Sequence, residues 1–140
     1  MQMLNLLKCL DKLHKQHLKI DQLIDDLEEI SGHSFDFDFD RIDITVSDVL
    51  KYTREHFHDE EDIMRKLDYP KIDAHIKQHH SLIDTINKLC YGKTHFISDP
   101  TENLIHFFRE NVAKHIAIED EYLDEFIREI FREAVNGKRK

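Results

Sequence analysis

The 140-residue chain has no tryptophan, only three glycines, two prolines and two cysteines. So few breakers and turn formers argue against a strand-and-turn architecture and for long helices. Cys9 and Cys90 stand far apart with no C-x-x-C pair. They suggest no disulfide framework, and a reducing cytoplasmic setting is the expectation. No apolar run approaches the ~20 residues that span a bilayer, and charges interrupt Met1–Lys12 too early for a signal peptide. A basic stripe is also missing. The formal net charge is -9, and the one cationic run is the tail Lys138-Arg139-Lys140 behind Gly137. Neither nucleic acid nor membrane is therefore an expected partner.

What the chain does have is sustained helical spacing. From about residue 3 to 30, Met3, Leu6, Leu10, Leu13, His17, Ile20, Ile24 and Leu27 recur at steps of three and four, which aligns them on one helix face. Ser31-Gly32 ends that stretch. A second stretch, 43–67, carries Val46, Val49, Thr53, His56, Glu60, Ile63 and Leu67. The third, 70–91, has Pro70 in its first turn, Gly92 past its end, and the row Ile72, His75, His79, Leu82, Ile86 and Leu89. The fourth starts near Asp99-Pro100-Thr101 and continues to about 135. Between the first two, residues 32–42 read G-H-S-F-D-F-D-F-D-R-I. This alternation resembles a short strand, and is read in preference as a short extended arm, residues 35–40, that lays Phe35, Phe37 and Phe39 over the bundle. Residues 92–99 form a second loop. Helices of similar length with short connections predict an all-α, up-down-up-down four-helix bundle, one domain over residues 1–140.

The inner rows are apolar except at particular places. His17 interrupts the first, His56 and Glu60 the second, and His75 and His79 the third. Each buried polar group without a partner costs about 1–3 kcal/mol, more for charges. A stable domain must satisfy them together, and metal ions do so because they bind neutral imidazole and ionised carboxylate. Residues i and i+4 lie about 40° apart on a helix, so His56/Glu60 and His75/His79 can each send two donors into one cavity. His14 falls off the row that holds His17, and His80 off the row that holds His79. His33, His58, His95 and His106 are read, with these two, as ordinary core or surface histidines. Glu55 and His58 make a single E-x-x-H, where ferritin-like di-iron sites need two. No H-E-x-x-H zinc-protease motif occurs.

These residues resemble the hemerythrin family, nearest to its single-domain bacterial members. Gln16-His17-Leu18-Lys19-Ile20 is similar to the family's Q-H-x-x-L, and His56-Phe57-His58-Asp59-Glu60-Glu61 to its H-F-x-x-E-E. Tyr69-Pro70 with His75 and His79 resembles Y-P followed by H-x-x-x-H, and His115-Ile116 with Asp120 resembles H-I-x-x-x-D. The similarity runs from residue 16 to 123. One position divides the two readings. On a regular α-helix residues 115 and 120 lie about 140° apart, and Glu119 shares the face of His115. Periodicity selects Glu119; the resemblance selects Asp120, which also falls in a second row with Ile116, Leu123 and Ile127.

The resemblance implies two non-heme iron ions bridged by Glu60, Asp120 and an oxo or hydroxo group. His75, His79 and His115 then hold one iron, and His17 and His56 the other. Counting ligands leaves one octahedral position open, on the two-histidine iron, and O₂ is the ligand the family binds there. Val112, one turn before His115, is expected to wall that pocket where many relatives carry a bulkier residue. The expected function is O₂ storage, delivery or sensing without catalysis. Two further classes share the same ligands: a di-iron oxidase or peroxidase that turns over O₂, peroxide or nitric oxide, and an iron sensor or iron-centre repair protein.

Overall fold

A computed structural model describes residues 3–32, 39–91 and 100–137. Four helices account for nearly all of them: α1, Met3–Ser31; α2, Phe39–Lys66; α3, Ile72–Tyr91; and α4, which runs from Pro100 to Val135. Within α4, Phe108–Val112 and Ile116–Asp120 are wound as π-helix. No strand occurs among the described residues. Each helix packs against its neighbour in the chain, and α4 closes the ring against α1. Leu6 of α1 shares a cluster with Met64 of α2 and Ile127 of α4, whereas Ile24 of α1 shares another with Val49 and Phe108. The helices therefore alternate in direction, giving the up-down-up-down bundle that short connections favour.

Two boundaries differ from the spacing-based expectation. The second helix starts at Phe39 rather than 43, with Asp40 in its first turn, where a carboxylate favours the positive helix end. Residues 39 and 40 of the expected arm are thus helical, while Phe35 and Phe37 lie outside the described residues. The third helix starts at Ile72, not Pro70. Asp68 adopts a left-handed conformation (φ 52°), which Asp tolerates, and Tyr69 precedes a proline, which disfavours helical geometry there. The turn buries Tyr69 against α1 and α4 side chains.

The core comes in two apolar parts. One holds Ile20, Leu27, Val49, Phe57, Ile86, Leu104 and Val112; the other holds Leu6, Leu13, Ile63, Met64, Leu123 and Ile127. Fully burying one such aliphatic side chain contributes about 1.5–3 kcal/mol, so these two blocks hold the bundle and the layer between them can carry polar groups. Outside, Arg109 of α4 reaches Glu28 (2.7 Å) and Asp25 (3.1 Å) of α1. Among the described residues no helix is long and apolar enough to cross a membrane.

Candidate metal centre

The polar layer between the two apolar blocks receives His17 from α1, His56 and Glu60 from α2, His75 and His79 from α3, and His115 and Asp120 from α4. All are buried except His17, which retains 21% of its side-chain surface. His14 points out instead, with 56% of its side chain exposed. His58, His80 and His106 are also exposed, and His33 and His95 lie outside the described residues.

The two carboxylates divide their oxygens between two histidine sets. Glu60 Oε2 lies 3.3 Å from His56 Nε2, while Oε1 accepts a hydrogen bond from His75 Nε2 and lies 3.1 Å from His79 Nε2. Asp120 Oδ2 lies 3.1 Å from His17 Nε2 and 3.3 Å from His56 Nε2. Its Oδ1 lies 3.4 Å from His75 Nε2 and 3.5 Å from His115 Nε2. Two groups that could each hold a metal ion result: His17 and His56 on one side, His75, His79 and His115 on the other, with Glu60 and Asp120 common to both.

Asp120 reaches this layer because Ile116–Asp120 is π-helical. A π turn bonds i to i+5 and absorbs one extra residue, so His115 and Asp120 share a face that a regular helix would deny them. Asp120 is buried, Glu119 only partly, and Glu119 belongs to neither ligand group.

A further ring of groups fixes the imidazoles. His56 Nδ1 donates to Gln16 Oε1 (2.9 Å), Gln16 Nε2 donates to Asp59 (2.7 Å), and Lys12 pairs with Asp59 (3.0 Å). His79 Nδ1 donates to Glu61 Oε2 (2.8 Å), and its ring stacks on Phe57 at 3.9 Å and 6°. With Nδ1 committed outward, Nε2 is the ring nitrogen that faces the centre in both rings and would supply the lone pair to a metal. Such outer partners set tautomer and ring orientation, and losing one typically weakens metal binding about 10–100-fold. Glu61→Gln is accordingly expected to lower metal affinity within that range while leaving the helical spectrum unchanged; competition titration against a chromophoric chelator measures it.

The electrostatics show how the layer is balanced without a metal. Burial alone would push the His56 and His75 pKa values down, but hydrogen bonds and charge from Asp120 and Glu60 lift both to about 9. Burial would raise Glu60 and Asp120, yet the surrounding histidines hold both carboxyls below their ordinary values. His115, dominated by burial with His79 and His75 close by, falls to about 4 and is neutral. Two protons thus offset two buried carboxylates, which divalent cations can do in their place. Protons leave the layer incompletely satisfied. His79 Nε2, His115 Nε2 and Asp120 Oδ1 are buried and make no aligned hydrogen bond, their near neighbours being other polar atoms of the layer. Orphaned donor atoms of this chemistry fit metal ions, and the mixed imidazole and carboxylate set suits iron.

The model of the hemerythrin HHE cation binding domain matches residues 9–132. This chain belongs to the hemerythrin family. Among curated relatives, a bacteriohemerythrin of Campylobacter jejuni is 30% identical over 89 residues, covering 64% of this chain and 67% of the relative. A bacteriohemerythrin of Clostridium acetobutylicum is 23% identical over 121 residues, covering 82% of this chain and 92% of the relative. No solved structure matches. The family match takes in all seven residues of the hemerythrin-type layer. Spacing did not assign roles to Gln16, Phe57 or Glu61, although each adjoins a residue of the layer in sequence. Adjacency was the available signal, because a side chain beside a buried histidine can reach back to its ring.

Proposed function

We propose that the chain holds two iron ions, bridged by Glu60 and Asp120, and binds O₂ reversibly. The observation that carries this reading is the division of each carboxylate's two oxygens between two histidine sets. A single ion would require these oxygens to converge on one point. In this assignment His75, His79 and His115 hold one iron and His17 and His56 the other, with a bridging oxo or hydroxo group. The two-histidine side has one ligand fewer and offers the open position. A ferrous pair there supplies the electrons that O₂ binding draws on. Residues 1–140 form one domain in this reading, which acts by binding rather than turnover.

The chain's part is to hold donors and keep water away. Between α1 and α4, the helices that carry His17 and Asp120, a cleft of about 330 Å³ is lined by apolar Ile20, Ile24, Phe108 and Val112 and by charged Asp21, Asp25 and Arg109. Val112 is 1% exposed and lies one turn before His115. We assign it as the wall between this cleft and the open position. Apolar walls of this kind limit entry of water and anions, which promote oxidative loss. Val112→Leu, which adds one methylene to the wall, is expected to slow autoxidation severalfold, read from the decay of the oxygenated visible spectrum in air.

The deciding experiment is anaerobic reconstitution with ferrous iron, metal analysis, then O₂ addition and removal under argon. Two irons per chain and a visible band that appears and disappears with O₂ are expected. One iron or none per chain would remove the bridged pair. Rapid irreversible oxidation on first exposure, with release of peroxide, would favour turnover or sensing over reversible binding.

A further inference from the structure

Among the described residues of the buried layer, His17 is the most exposed. His17 keeps 21% of its side-chain surface, while its partner Asp120 keeps 7% and the other members less. Directly outside His17 the chain repeats the same pair of donors. His14 precedes His17 by three residues on α1, about one turn away and beside its row, and Asp124 follows Asp120 by four on α4, one turn further along. The His14 and His17 ring centroids are 6.3 Å apart. His14 Nε2 lies 3.4 Å from Asp124 Oδ2, as His17 Nε2 lies 3.1 Å from Asp120 Oδ2. The outer pair is accessible, with 56% of His14 and 21% of Asp124 exposed.

We propose that His14 and Asp124 form a surface docking site for the divalent ion, through which it enters past His17. The proposal rests on the inner layer holding metal. One imidazole and one carboxylate, with water completing the shell, bind such an ion weakly and release it readily, which suits transfer rather than residence. Transfer inward exchanges each donor for one of the same chemistry, His14 for His17 and Asp124 for Asp120. Other charges at the site do not block it. Arg128 touches Asp124 and Glu121 only at 3.7 Å and is itself 56% exposed, and Lys15 on α1 is paired with Asp11 at 2.9 Å. The formal charge of -9 draws cations to the chain as a whole.

The competing account is a plain exposed ion pair between α1 and α4, which contributes little and has no part in metal exchange. Kinetics separate the two. Metal-free protein is mixed with Co²⁺, whose visible bands report imidazole and carboxylate ligation without oxygen chemistry. Extraction by excess EDTA gives the reverse rate. His14→Gln and Asp124→Asn, singly and together, are compared with wild type and with His106→Gln, an exposed histidine elsewhere on α4. The double variant is expected to load about 10-fold more slowly at low ionic strength. A route acts on both directions, so extraction should slow by the same factor, with final stoichiometry and thermal stability unchanged. Uptake equal to that of the His106→Gln control would overturn the route. So would faster extraction with lower final stoichiometry, since that describes a support or resident ligand. Wild-type protein that takes up no cobalt would overturn the buried centre, and the route with it.

Discussion

Glu60→Gln is expected to abolish loading of two metals. Both Glu60 oxygens are in use, Oε2 toward His56 and Oε1 toward His75 and His79. An amide keeps the shape but presents one acceptor and one NH₂ donor. Whichever way it turns, hydrogens rather than a lone pair face one of the two histidine sets. The substitution also removes a buried negative charge that any cation placed there would meet. Iron content should fall from two per chain to one or none. Thermal unfolding provides an independent measure. A ligand bound only by the folded state at 100 times its Kd adds about 2.7 kcal/mol of stability, so iron should raise the wild-type midpoint and leave that of Glu60→Gln nearly unmoved. The metal-free variant should differ less from the metal-free wild type. It loses charged hydrogen bonds, yet no longer has to bury that carboxylate. Retention of two irons by Glu60→Gln would show that Glu60 is not a bridge.

Most of this layer could be read from spacing alone, for a physical reason. In α1, α2 and α3 the helix is regular, so a row drawn at steps of three and four is a real face. His17, His56, Glu60, His75 and His79 fall on it, and 21% of the His17 side chain is exposed against 56% of His14. Gln16 is buried without lying on such a row. It sits about 100° around the helix from His17, off the row, yet it is 8% exposed because its amide reaches sideways between His56 of α2 and Asp59. Burial of that kind arises from a neighbouring helix and leaves no periodic trace. The start of α2 at Phe39 is hard to read for another reason: it falls at the end of alternating Phe and Asp, which has the period of a strand and not of a helix. At Asp120 the regular helix itself was the wrong ruler. The family resemblance pointed to Asp120 there, and the π turn accounts for its place beside His115.

That π turn gives the second large prediction, in which two deletions of exposed residues have opposite outcomes. Ala117 is exposed within Ile116–Asp120. Deleting it lets the segment wind as ordinary α-helix, because the extra residue that forced the i to i+5 turn is gone. His115 and the former Asp120 are then four residues apart, about 40° around the helix, and still share a face. Leu123 and Ile127 keep their spacing from that aspartate and stay in the apolar block with Leu6, Leu13 and Ile63. The deletion variant should fold, load two irons, and lose no more than about 1 kcal/mol of stability, the scale of an ordinary substitution. His58 on α2 is 71% exposed, so its side chain contributes little to packing. Deleting it, however, removes a residue from a regular helix and turns everything beyond it by about 100°. Glu60, Ile63 and Met64 cannot then remain inside while His56 and Phe57 do. This variant should lose both irons and much of its cooperative unfolding. Metal analysis and thermal melts of the two deletions side by side make the comparison. Loss of iron in the Ala117 deletion would mean that the π turn does more than absorb a residue, and that it sets the carboxylate's position in a way a regular turn cannot reproduce.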